Sequence, residues 1–244
     1  MHQAQAYINS LNWVLSSDRT LTVSEVTTLQ HCLKNDAVDL FYSASLTFAQ
    51  AITGVEKGAY SWSIVKFYYS VFYALRCYMA LDGTTFLYFG TKPRILRASL
   101  GEKLIKGQNL THKMVLKEFC TTNPGRQILL QDIDYKSPLD WLMSQREAAN
   151  YKNPRFPEPN VPDCLESVVE RGVRGAIETY RSDTNLYWFE KEHAILALPL
   201  KIISMTATHA GLDKCIGIED LAFLQCQFRD GKGLLPFFGR MFSS

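Results

Sequence analysis

The chain has 244 residues and a formal net charge of +2 at pH 7, with 47% apolar and 20% charged residues. That balance excludes a disordered chain, and the length allows one large domain or two small ones. A net charge this small points to no class of partner when taken globally. The six cysteines (Cys32, Cys77, Cys120, Cys164, Cys215, Cys226) are dispersed, with no CxxC pair and no Cys/His spacing suited to zinc. Most fall at apolar positions and read as small core hydrophobes in a reducing compartment. The first twenty residues lack a basic start followed by an apolar run, so no secretion signal is read there. The expectation is a cytoplasmic protein that uses no metal and no cofactor.

Residues 4–16 put Tyr7, Leu11 and Val14 on one helical face, with Ile8 and Leu15 beside them. Thr22 or Ser24 caps a second, short helix burying Val26, Leu29 and Leu33. Residues 1–35 are therefore expected to form a helical N-terminal extension. Asp36–Gly54 is more strongly periodic, with Val38, Phe41, Tyr42, Ser45, Phe48, Ala49 and Ile52 in one stripe. The link 55–58 is too short for anything but antiparallel packing against the next helix.

That next stretch, Gly58–Gly83, organises the chain. From Ser61 to Leu81 it carries only Lys66 and Arg76 as charges, and apolar residues lie on every side, as in a buried helix. Two cations near mid-span and three serines argue against a membrane span. Ile64, Tyr68, Val71, Leu75 and Tyr78 form an apolar stripe. Trp62, Lys66, Tyr69, Tyr73 and Arg76 form an aromatic and cationic one, expected to face a polar seam, a cleft or another subunit.

Phe86–Phe89 reads as a short strand or an extended loop, leaving room for one short hairpin, and Leu96–Lys106 and Thr111–Cys120 as short helices. Lys92, Arg94, Arg97, Lys103, Lys106, Lys113 and Lys117 stand against Glu102 alone, a net +6 over residues 92–117. Such clustering suits a nucleic-acid backbone, an acidic protein partner or a plain solvated surface. Asn123-Pro124-Gly125 reads as a turn and Ile128–Tyr135 as an apolar segment able to pair as a strand.

Ser137-Pro138-Leu139-Asp140 is a clear helix start, and the helix runs to about Asn150, before four prolines from Pro154 to Pro162. Asp163 with Glu166 opens a helix to about Tyr180, in which Gly172 and Gly175 allow a neighbour's close approach. Residues 186–189 read as extended. Glu192–Ala210 and Ile218–Phe228 read as helices, with Pro199 a kink or boundary in the first. The aromatic end, LLPFFGRMF, folds back or docks on another chain.

A long antiparallel helix pair containing FYYSVFYAL, followed by a helix ending in Arg146-Glu147-Ala148-Ala149-Asn150-Tyr151, resembles the HEPN superfamily (higher eukaryotes and prokaryotes nucleotide-binding). The resemblance covers roughly residues 36–183, with 184–244 a C-terminal helical region packed on the bundle. It implies a mostly α, antiparallel helical bundle that often dimerises, and in active members a metal-independent ribonuclease. The family's motif is an Arg followed after four to six residues by a His, so the resemblance gives Arg146 the Arg position. The His slot holds Tyr151, Lys152 or Asn153 instead, and no His lies between His112 and His193.

Without an imidazole poised near neutral pH, proton transfer in RNA cleavage lacks its usual carrier. Arg146 still suits bidentate phosphate binding. The resemblance therefore implies a non-catalytic or atypical HEPN-like component of a prokaryotic toxin–antitoxin or antiviral defence assembly. It would bind a second copy, a partner protein encoded nearby, or RNA or a nucleotide. The alternative is an endoribonuclease using Arg146 with Tyr151, with Glu147 and Asn150 beside them. The polar seam of Lys66, Tyr69, Tyr73 and Arg76 adjoins either site. No phosphate-binding loop, dinucleotide fingerprint, nucleophile elbow or HExxH is present, and the five histidines look isolated.

Overall fold

The computed structural model describes residues 2–13, 18–107, 111–152, 154–182, 190–211 and 215–241. Among these residues the fold is mostly α, with two small antiparallel sheets. Its frame is the pair α2 (Val23–Glu56) and α3 (Tyr60–Leu81), which run antiparallel along each other. At Gly54 an added Cβ would lie 2.3 Å from Ser63 Oγ of α3. α9 (Lys191–Ala210) lies across α3 and α2, and its residues 194–198 are all buried.

α2 is one 34-residue helix, where two were expected. Thr22 caps it with Glu25 in a reciprocal capping box, as its sequence predicts. Asp36, where the periodic stretch expected as the second helix begins, lies inside α2. The Asp36 carboxylate accepts from the N–H groups of Gln3 (2.6 Å) and Ala4 (3.0 Å), capping the short helix α1 (Gln3–Ser10). α1 stops well before residue 16, and residues 14–17, Val14 and Leu15 among them, lie outside the described residues.

β1 (Thr84–Phe89), β2 (Lys92–Arg97) and β3 (Ile105–Lys106) form an antiparallel sheet in that order, with Phe86 opposite Ile95 and Arg94 opposite Lys106. The helix expected over 96–106 is therefore replaced by strand, turn and strand. Gly90 at φ +62° turns the hairpin, and Gly101 at φ +79° interrupts any helix there.

α4 (Thr111–Phe119) follows, then α5 (Asn123–Ile128), which takes the place of the expected turn and the start of the expected strand. Thr122 caps α5 and Pro124 sits in its first turn, so the proline starts a helix here. Of a strand over 128–135, one isolated bridge between Ile133 and Lys136 is present.

α6 (Pro138–Glu147) begins on the Ser137 cap as predicted and continues into a π-turn, Ala148–Lys152. The expected helix to Tyr180 is broken. A 3₁₀ turn at Asp163–Leu165 leads into α7 (Glu166–Arg171), and Gly172 at φ +75° separates it from α8 (Val173–Ser182). Nothing lies within 4 Å of a Cβ built on Gly172 or Gly175, so backbone freedom at Gly172, and no close neighbour, explains the glycine there.

The chain ends in α10 (Ile218–Gln227), the hairpin β4 (Arg229–Asp230) with β5 (Gly233–Leu234), and α11 (Pro236–Met241). The aromatic end folds back: Phe237 and Phe238 are buried, and Phe237 packs 5.2 Å from Phe48 of α2. Pro199 lies inside α9 without ending it. The extended reading of 186–189 falls outside the described residues. Of the cysteines Cys77 is buried, while Cys215 and Cys226 are exposed and so are not core residues. Among the described residues no helix is long and apolar enough to cross a membrane.

Candidate functional site

Arg146 occupies the last turn of α6, a helix anchored by buried Trp141 and Leu142. Its guanidinium lies 5.0 Å from the Tyr68 ring centre and 5.8 Å from those of Tyr69 and Tyr151. The π-turn accounts for the last contact. Its wider turn stacks residue i+5 over residue i, bringing Tyr151 back over Arg146. Arg146 Nε is buried and finds no hydrogen-bond partner among the described residues, while the Tyr151 side is open, with 70% of Tyr151 exposed. A buried guanidinium N–H without an acceptor is costly, and an anionic ligand is the acceptor it suits best.

The residue missed by sequence reasoning is His112. It stands in the first turn of α4 with its ring against α3: 4.5 Å from the Phe72 ring centre, 5.6 Å from Tyr69 and 5.7 Å from Tyr68. His112 Nδ1 lies 2.9 Å from Tyr68 Oη. The expectation that no imidazole stands near Arg146 is therefore overturned. A signal existed. His112, Val115, Leu116 and Phe119 share the helical spacing of α4's buried face, so the spacing turns the imidazole towards the core.

Burial, then the positive charges of Arg146 and Arg76, lower the His112 pKa from its ordinary value, so the ring is neutral at neutral pH. Burial pushes the Tyr68 phenol well above its ordinary range, with the Arg146 charge opposing it, so this hydroxyl keeps its proton. The cluster thus holds a fixed cation, a neutral imidazole and a protonated phenol. Of the other predicted site residues, Glu147 is close enough to bear on the ionisation of Tyr68, and Asn150 lies half-buried in the π-turn.

The predicted seam divides. Tyr69 and Tyr73 lie side by side, ring centres 6.3 Å apart, and lead towards Arg76, whose guanidinium sits over Phe72 and reaches His2 Nε2 at 3.3 Å. Lys66 is half-buried, and exposed Trp62 turns aside to meet the Phe156 ring edge-on.

The basic region also divides. Arg97 is held by Glu118, one residue past the window counted above, and Lys103 by Asp18 at 3.3 Å. Arg94 donates to the Pro93 carbonyl and stands across the sheet from Lys106. Lys92, Lys106, Lys113 and Lys117 are exposed.

The remaining histidines are not one class. His193, one of the histidines expected to be isolated, is buried with Nδ1 2.7 Å from Tyr180 Oη, linking α9 to α8. Among the described residues no group of three or more His, Cys, Asp or Glu side chains is arranged to hold a metal ion. Compared with family models, curated proteins and solved structures, the chain matches none of them.

Proposed function

We propose that the chain is an atypical HEPN-like component of a prokaryotic defence or toxin–antitoxin assembly, and that the Arg146–His112 cluster binds and cleaves RNA without a metal ion. The observation carrying this reading is the neutral His112 ring, anchored on Tyr68 beside the Arg146 guanidinium. It answers the absence of a His four to six residues after Arg146, which had favoured a non-catalytic protein. His112 takes the place beside Arg146 that the alternative reading gave to Tyr151.

In this reading Nδ1–H donates to Tyr68 Oη, leaving the Nε2 lone pair free. The scissile phosphate binds Arg146, whose Nε–H and Nη–H groups stabilise the charge that grows on the phosphoryl oxygens. Nε2 takes the proton of the RNA 2′-hydroxyl as that oxygen bonds to phosphorus. The bond from phosphorus to the 5′-oxygen breaks, and the leaving oxygen takes a proton from water at the open Tyr151 side. The products are a 2′,3′-cyclic phosphate and a 5′-hydroxyl. A neutral base near pH 7 suits this task, and general base catalysis contributes roughly 10²–10⁴-fold.

The test is incubation of purified protein with RNA in EDTA, with end-group analysis. Cleavage to cyclic phosphates, lost in Arg146→Ala and in His112→Ala, is expected. An intact substrate with folded wild-type protein would refute the enzyme.

A further inference from the structure

The aromatic strip beyond the Arg146–His112 cluster has no part in proton transfer. It runs along one face of α3 through Tyr69, Tyr73 and Arg76, at spacings of four and three that stack side chains above one another. The Tyr69 and Tyr73 rings are tilted by only 33°, and both are half-buried against the core.

Tyr88 of β1 extends the strip. It is 39% exposed and its hydroxyl donates to Thr111 Oγ1 at 2.9 Å, which pins the hairpin beside His112. Tyr73 and Tyr88 both lie close enough to Arg76 to bear on its ionisation, and Arg146 and Arg76 both bear on His112. Arg146 lies by Tyr69, His112 packs on Tyr69 and Phe72, and Arg76 sits over Phe72, so the order along α3 is Arg146, His112, Arg76.

We infer that this strip is a track for single-stranded RNA, whose bases stack on Tyr69, Tyr73 and Tyr88 while its backbone runs from Arg146 to Arg76. Successive aromatic faces beside a line of cations are what an unpaired strand requires. A duplex hides its base faces and could use only the cations. The track rests on the reading of the cluster as an RNA site, and it adds the substrate class: unpaired strand, with little dependence on sequence.

The experiment measures binding of the wild-type protein to a labelled 2′-O-methyl oligonucleotide of about eight nucleotides, which has no nucleophile and stays intact. Its duplex and an abasic strand of equal length are the comparisons. The single strand should bind at least about tenfold tighter than either. Tyr73→Ala and Tyr88→Ala should each weaken it roughly five- to hundredfold and leave the abasic strand unchanged. Tyr73→Phe, which keeps the stacking face, should bind as wild type does. Equal affinity for abasic and base-bearing strands, tighter duplex binding, or equal losses on both strands would overturn the track. The two readings fail separately. Stacking-dependent binding without RNA cleavage removes the ribonuclease and keeps the track, whereas cleavage without base-dependent binding removes the track alone.

Discussion

Tyr68 Oη and His112 Nδ1 lie 2.9 Å apart, joining the middle of α3 to the first turn of α4 across 44 residues of sequence. The contact orients the imidazole, and in the proposed mechanism Nε2 is the ring nitrogen that meets the ligand. Because burial and two arginines lower the His112 pKa below 6.5, the neutral, basic form dominates at neutral pH. Cleavage should therefore be constant around neutrality and fall as pH drops through that lowered value. An NMR titration of the imidazole should give a midpoint below 6.5, and a rate still rising above pH 7 would contradict the assignment. Tyr68→Phe should slow cleavage at unchanged RNA affinity.

Gly54 of α2 leaves room for Ser63 in the first turn of α3. Gly54→Ala pushes a methyl group into Ser63 Oγ and should destabilise the protein by about 1–3 kcal/mol, read from urea unfolding. Ser63→Ala removes the obstructing oxygen, so the double variant should recover most of the loss. Additive losses would show that the clash lies elsewhere.

Arg174 and Asp230 form a forked pair that ties α8 to the β4–β5 hairpin, with Arg174 Nε donating to Asp230 Oδ2 at 2.5 Å. Hydrogen bonds from Arg174 chiefly hold the Asp230 carboxyl down at about 2, against an ordinary 3.8. A depressed carboxyl stabilises the folded state above its unfolded value, and that contribution is lost as pH falls from about 4 towards 2. Asp230→Asn should cost about 1–2 kcal/mol at pH 7, since the pair is partly solvated. The gap to wild type should close across that acid range, and a pH-independent gap would contradict it.

The cations of residues 92–117 should not behave alike. Replacing Lys92, Lys106, Lys113 or Lys117 by Gln should lower the salt slope of RNA binding by about 0.7 for each one that meets a phosphate. Arg97→Gln should instead loosen the contact between β2 and α4, because Glu118 already holds Arg97. An RNA affinity that does not change with salt would assign this surface to a protein partner.

Periodicity made α3 legible as a buried rod, and the short 55–58 link made its antiparallel pairing with α2 legible too. Ser137-Pro138 announced α6, because a cap and an N-terminal proline act within one turn. Local rules failed where one signal served a distant element. Asp36 looked like the start of a helix and instead caps α1. Gly172 looked like a packing contact and instead breaks a helix.

The amino-acid order by itself determined the helical frame and marked Arg146 as a guanidinium at a helix end. Only the tertiary structure decided what surrounds it, because His112, Tyr68 and Arg146 belong to three helices and meet through packing. Helical spacing states which face a side chain occupies, but the neighbour it meets there depends on how α3, α4 and α6 bury their apolar stripes together.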